Sequence, residues 1–283
     1  MEFLQPASWD EALAAKAAHP DALPIWGGTD VMVEMNFGRA RPETLLDLTR
    51  VTELTHHARE NGVLRVGAGV TYTRAIDELG DQLPGLAIAA RTVGSPQIRN
   101  RGTIGGNLGS SSPAGDALPP LYASHAQVAV ASSRGERRIP VEDFITGPKR
   151  NVLEPDELIA AFLIPPARGG QQFAKIGTRN AMVIAVCSFA IALDDSMRTV
   201  GTCLGSAAPT PRCAHDAEEF VAQELDWDGR GQVRDDVLQR FGQLVADAAS
   251  PIDDVRGTAA YRRHALSVLA RRTLGWAWSE QCA

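Results

Sequence analysis

At 283 residues the chain has room for one large domain or two modest ones, each able to bury its own core. A composition of 44% apolar, 22% charged and 6% aromatic residues excludes intrinsic disorder, collagen-like repeats and a long coiled coil. Subtracting 34 acidic from 28 basic side chains leaves a formal charge of -6, which repels a polyphosphate over most of the surface, so nucleic acid is not an expected partner.

In chain order, residues 1–50 alternate as strand, helix, strand, helix, strand. Asp10 is expected to cap a helix over EALAAKAA and Pro20 to stop it. LPIW is a short buried strand, GGTD a turn, VMVEMNF a second helix, and TLLDLT at 44–49 closes a small βαβαβ unit. From residue 60 onward VLRVGAG reads as a strand, TYTRAIDELG as a helix opened by a threonine cap, and LAIAARTVG as its continuation. Residues 99–126 hold too much Gly, Ser and Pro for a regular element, and a shaped loop is expected there until Asp116 begins a short helix. AQVAVASSRGERRIPVEDF gives a strand, a hairpin and a second strand. DELIAAFLIP then ends the first domain at Pro165-Pro166, with ARGG at 167–170 as the expected linker. Beyond it come FAKIG, the apolar run 181–193, a DDSMR turn, TVGTCLGSA and two helical stretches parted by a Gly- and Asp-rich loop. The C-terminal helix is expected to set Tyr261, Ala265, Val268 and Leu269 on one face and arginines on the other. Arg262, Arg263, Arg271 and Arg272 then form either a solvated face or a docking surface for a partner chain.

The run 181–193 is shorter than the roughly 20 residues that cross a bilayer, so no membrane span is expected. The first residues lack a basic region followed by an apolar one, and Cys187, Cys203, Cys213 and Cys282 form no C-x-x-C pair. A cytoplasmic, reduced chain is expected, with any iron-sulfur cluster carried by another polypeptide.

Two glycine motifs carry the chemistry. In Ile25-Trp26-Gly27-Gly28-Thr29-Asp30 a buried strand runs through two glycines into a helix start. Free N–H groups there suit a phosphate, and the alternative is an ordinary tight turn. In Thr103–Asp116 a glycine pair, a carboxamide, hydroxyls and one carboxylate occur without any lysine or arginine. Such a segment suits a diphosphate held by amides and hydroxyls, and the alternative is a flexible surface linker. P-loop, G-x-G-x-x-G, H-E-x-x-H, EF-hand and G-x-S-x-G patterns are all missing. The six histidines, at 19, 56, 57, 125, 215 and 264, show no metal-ligand spacing beyond the adjacent pair His56-His57, whose side chains point apart, so surface histidines are expected.

Both motifs, in this order, resemble the FAD-binding subunit of the molybdenum hydroxylases, the xanthine dehydrogenase and carbon monoxide dehydrogenase family. The resemblance extends from FLQPASWDEALA through WGGTDVMVEM, QIRNRGTIGGNLGSSSPAGDALPPL, DELIAAFLIP, FAKIGTRNAMVIA and APTPRCAHDAEEF to AAYRRHALSVLARRTL. TDVMVEM and the Ser-Pro-Asp pattern of the second motif resemble the xanthine dehydrogenase branch. The resemblance implies an α+β fold: a two-subdomain FAD-binding domain of the flavin oxidase type over 1–166 (subdomains about 1–55 and 56–166), then a small α+β C-terminal domain of antiparallel sheet and helices over 171–283. It implies that Pro24, Ile25, Trp26, Gly27, Gly28, Thr29 and Asp30 line the diphosphate and ribityl region of FAD. Thr103, Gly105, Gly106, Asn107 and Asp116 hold the rest, Val93 packs on the cofactor, and Ile159 (or its neighbour Leu158) and Lys175 make further flavin contacts. In mammalian members an asparagine stands at Gly28 and a bulky aliphatic at Gly109, which leaves the flavin face open or covered by another residue.

The implied function is electron transfer. A large molybdopterin-binding subunit oxidises the substrate, a small iron-sulfur subunit relays single electrons, and the FAD chain passes pairs to an acceptor, by analogy NAD, with oxygen or another carrier as the alternative. The assembly implied is a dimer of heterotrimers. Lys175 is expected to stabilise the reduced anionic flavin by charge. Two other classes stay open: a self-sufficient FAD-dependent oxidase or reductase, and a nucleotide-binding module without redox activity. The first needs its own base or covalent flavin link.

Overall fold

The computed structural model describes residues 1–282. Its first unit runs β1 (Glu2–Leu4), α1 (Trp9–Ala18), β2 (Leu23–Ile25), α2 (Val31–Asn36) and β3 (Thr44–Asp47), with the strands all parallel in the order β1-β3-β2. The expected βαβαβ unit is present. Its cap differs: Ser8, in extended backbone, accepts from Glu11 N, while Asp10 lies inside the first turn. A serine followed three residues later by a glutamate outcompetes the aspartate, because only Ser8 precedes the first helical residue. Ala12, Ala22, Leu46, Leu48, Val51 and Leu54 form a small core that borrows Leu158 from later in the chain.

The second unit begins with β4 (His57–Glu60) and β5 (Val63–Gly67), followed by α3 (Tyr72–Leu79), α4 (Pro84–Arg91), α5 (Pro96–Arg101), α6 (Ile104–Ser110) and α7 (Leu118–Ala123). It continues through β6 (Gln127–Ser132), β7 (Gly135–Pro140), α8 (Val141–Phe144), β8 (Ile145–Gly147), β9 (Arg150–Asn151) and β10 (Leu158–Ile164). An antiparallel sheet, ordered β4-β5-β10-β6-β7, carries the helices α3, α4, α6 and α7 around one core. Two expectations are corrected here. LAIAARTVG does not continue α3: Pro84 is disfavoured after a helical residue, holds Leu83 at φ -133, and starts a new helix. The supposed loop at 99–126 contains helices α5 and α6, and α7 begins at Leu118 rather than at Asp116.

The third unit comprises the antiparallel sheet β11 (Gln171–Ile176), β12 (Cys187–Asp194), β13 (Thr199–Gly205), covered by α9 (His215–Glu224), α10 (Asp235–Ala248) and α11 (Ala259–Cys282). The phase of α11 is shifted from expectation. Tyr261 is 48% exposed, whereas Arg262 is buried and donates to Val186 O at 2.6 Å, Ser206 O at 2.8 Å and Asp254 at 2.6 Å. Arg262 thus satisfies buried carbonyls inside its own domain and offers nothing to a partner. Among the described residues no helix is long and apolar enough to cross a membrane.

Candidate functional site

The first glycine motif starts where β2 ends. Trp26 lies against Gly69, where a Cβ would come within 2.5 Å of the indole, and Gly27 abuts the Arg101 carbonyl at the end of α5. Gly28 has φ +74, a conformation natural to glycine. Among the hydrogen bonds of the described residues, none is donated by the backbone N–H of Gly27, Gly28, Thr29 or Asp30. Asp30 stands at the start of α2 but makes no capping bond. Its carboxylate accepts instead from Ser110 Oγ at 2.6 Å.

Ser110 ends α6 within the second motif, so that bond ties the two motifs together across 80 residues. Thr103 starts α6 by accepting from Gly106 N at 2.8 Å, and Gly105 presses on Ala68, just past β5. Asn107 Oδ1 accepts from Ala117 N at 3.2 Å, and its carboxamide fills the space beside Gly115. The run of glycines is therefore a helix held by its neighbours. At seven residues for α6 and six for α2, these helices are too short for a full macrodipole, and the expected helix-start effect shrinks to local unpaired amides.

Between the motifs lies a cleft of about 270 Å³. Pro24, Ile25, Trp26, Gly27, Gly28, Thr29 and Asp30 line one side, and Thr103, Gly105, Gly106 and Asn107 another. Ile159, Leu158 and Gly109 also line it, together with Leu54, Ala68, Tyr72, Ser110 and Glu157, which sequence reasoning did not single out. The lining contains two carboxylates and no lysine, arginine or histidine. Glu157 is bound by both arms of Arg137 at 2.7 Å, which hold its carboxyl below the ordinary value, and Asp30 is engaged by Ser110. Unpaired amides beside glycine backbone, with apolar walls at Trp26, Leu54, Leu158 and Ile159, fit a dinucleotide whose diphosphate is met without cationic side chains. A Cβ on Gly109 would point at Ile159, 3.7 Å away, so an isoleucine takes up the space next to this glycine.

Val93, Asp116 and Lys175 lie outside the lining. Val93 packs on the core of the second unit. Lys175 is 7% exposed and donates to Asp116 Oδ2 at 2.5 Å and to Thr92 O at 3.0 Å. Its charge is therefore already spent on a buried carboxylate, which differs from the free cation expected beside a flavin ring. Burial pushes the Asp116 carboxyl up while Lys175 pulls it down, and Asp116 Oδ1 has no partner among the described residues. The sequence offered little warning of this pair, because its two members lie 59 residues apart in different units.

Residues 1–167 match the family model "FAD binding domain in molybdopterin dehydrogenase", and residues 172–277 match "CO dehydrogenase flavoprotein C-terminal domain". The chain is 31% identical over 282 residues to the putative xanthine dehydrogenase FAD-binding subunit of Escherichia coli (strain K12), covering 96% of this chain and 94% of that one. It is 35% identical over 222 residues to the nicotinate dehydrogenase FAD-subunit of Eubacterium barkeri, covering 72% and 74%. Among solved structures, carbon monoxide dehydrogenase from Hydrogenophaga pseudoflava superimposes with a TM-score of 0.89 at 27% identity, over 99% of this chain and 98% of that one. Together with the cleft between the two glycine motifs, these matches make the chain a member of the FAD-binding subunits of the molybdenum hydroxylase family.

Proposed function

We propose that this chain is the electron-transfer subunit of a cytoplasmic xanthine dehydrogenase-type complex, receiving electrons from an iron-sulfur subunit and delivering them to NAD. In this reading a large molybdopterin-binding subunit hydroxylates a purine or another N-heterocycle, and the three chains assemble as a dimer of heterotrimers. Bound FAD supplies the exchange between one-electron uptake and two-electron delivery. The chain's own part is to hold and shield it. The amides of Gly27, Gly28, Thr29 and Asp30 are placed to meet the diphosphate, Thr103 and Asn107 fix the facing wall, and Trp26, Leu158 and Ile159 keep water from the interior.

The observation that carries this reading is the single cation-free cleft shared by both motifs and latched by Ser110 and Asp30. Full-length similarity to a xanthine dehydrogenase subunit supports the branch, and similarity to a nicotinate dehydrogenase subunit supports the N-heterocycle class. A self-sufficient oxidase or reductase needs a base beside the flavin, and no histidine or cysteine is in the lining. The test is steady-state turnover of the purified complex with xanthine, nicotinate or carbon monoxide, each with NAD or oxygen as acceptor. Xanthine-dependent NADH formation is expected. Turnover confined to another substrate overturns the branch, and reduction of oxygen without NAD overturns the acceptor.

A further inference from the structure

A second cavity, of about 670 Å³, shares no lining residue with the glycine cleft. It opens where α8 of the second unit faces the segment leading into α9 of the third. Glu142, Cys213 and His215 line it, and one donor atom from each lies within 4.8 Å of the other two. The histidine is oriented for ligation. His215 Nδ1 lies 2.8 Å from Glu218 Oε2, and Glu218 is itself fixed by Thr202, whose N and Oγ1 both donate to Oε1 at 2.8 Å. A carboxylate on Nδ1 selects the tautomer whose Nε2 carries the lone pair, the usual support behind a metal-bound imidazole. That Nε2 lies 3.9 Å from Glu142 Oε2. An independent observation points to a ligand in the same cavity: Tyr122, only 2% exposed, lines it, and its hydroxyl has no hydrogen-bond partner among the described residues.

We infer that Glu142, Cys213 and His215 bind a zinc ion that ties the second unit to the third. Thiolate, imidazole and carboxylate together favour zinc over magnesium or calcium. Tetrahedral bonds of 2.0–2.3 Å set donors about 3.5 Å apart, so the three groups need only a small closure. The His215 and Glu142 side chains are 68% and 36% exposed and can supply it, Glu142 giving up its 3.3 Å contact with His125. The fourth position is left for water within the cavity that Tyr122 lines. Binding forms a Cys213 sulfur–zinc bond and releases the thiol proton to solvent, with no change of oxidation state.

The test uses the reduced, chelator-treated full-length chain carrying Cys282→Ser, which removes the exposed thiol. Cobalt(II) is titrated as the spectroscopic probe and then displaced with zinc. One cobalt per chain with tetrahedral visible bands and a thiolate-to-cobalt charge-transfer band is expected. Cys213→Ser should abolish the charge-transfer band, and His215→Ala or Glu142→Gln should weaken binding at least about tenfold. Circular dichroism of each variant checks that the fold is kept. An octahedral, thiolate-free spectrum in the parent overturns the site, as does a charge-transfer band that survives Cys213→Ser.

Discussion

A Cβ on Gly27 would stand 2.0 Å from the Arg101 carbonyl oxygen and 2.9 Å from Gly102 N, whereas one on Gly28 would meet the flexible Met32 side chain at 3.1 Å. Gly27→Ala therefore has to push the first motif off the second, while Gly28→Ala has only a left-handed backbone to bear, at a cost of about 1–2 kcal/mol. Gly27→Ala is expected to purify without flavin and to melt earlier. Gly28→Ala should keep most of its flavin, and the flavin-to-protein ratio with thermal melts decides. Stoichiometric flavin in Gly27→Ala would refute the packing of the two motifs. Lys175 and Asp116 call for a pair of changes. Removing the lysine leaves a buried carboxylate unpaired, so Lys175→Gln should cost about 3 kcal/mol at neutral pH, and adding Asp116→Asn should restore most of it. The sign with pH follows from burial. Asp116 is raised above its ordinary 3.8, so its favourable contribution is complete below that value and is lost as pH rises through the native one. Without Lys175 burial acts unopposed, and the deficit of Lys175→Gln should shrink as the pH falls toward 4. Chemical denaturation at several pH values measures it, and a pH-independent deficit would rule out the buried-pair account.

Helix α6 shows how an element can be invisible to propensity and still form. Its IGGNLGS sequence holds three glycines, each worth about 1 kcal/mol against a helix, and from sequence it reads as a loop. What the composition hides is that Gly105 touches Ala68, where a Cβ would lie 2.5 Å away, that Thr103 caps the helix start, and that Asn107 ties its middle to Ala117 N. Gly275, inside the C-terminal third of α11, has open space in the direction of a Cβ. The same substitution should then act with opposite signs: Gly275→Ala stabilises by about 0.5–1 kcal/mol, and Gly105→Ala destabilises and loosens flavin. Denaturation midpoints check both, and a stabilising Gly105→Ala would show that α6 does not depend on close approach. The other elements divide along the same line. The βαβαβ unit, the β6–β7 hairpin and the strands of the third unit were legible, because alternation and turn residues lie within a few positions of each other. The Ser8 cap, the break at Leu83 and the phase of α11 were missed, since they depend on which residue precedes a helix, on proline sterics, and on a buried Arg262 bound to remote carbonyls. Of the candidate site, the two glycine segments were legible from the motifs and Ile159, or its neighbour Leu158, from the family resemblance, while Tyr72 and Glu157 reach the cleft through tertiary packing alone.

At the scale of the whole molecule, neither seam is loose. The core of the first unit is completed by Leu158, and the large core of the second unit contains Phe173, Ala190 and Cys203 from the third. The Lys175–Asp116 pair, the Gln171 side chain accepting from Gly85 N at 3.2 Å, and Ser206 N donating to Pro113 O at 2.8 Å all cross the second seam. Even the ARGG stretch expected as a linker is pinned: Ala167 N donates to Gln82 O at 2.8 Å, Leu193 N donates to Gly170 O at 3.0 Å, and a Cβ on Gly170 would collide with Ala277 O. Shared cores unfold together, so the flavin-free chain should lose its secondary and tertiary signals in one coincident transition. The cleft lies where Trp26, Leu54 and Ala68 of the first core's surroundings face the second motif, so a bound dinucleotide clamps two units that unfolding must separate. Free FAD at one hundred times its Kd adds about 2.7 kcal/mol, enough to raise the melting temperature by roughly 5–10 °C. Scanning calorimetry with and without FAD measures both effects. Two resolved transitions, or a folded fragment spanning 1–166 after proteolysis within 167–170, would show that the units unfold independently.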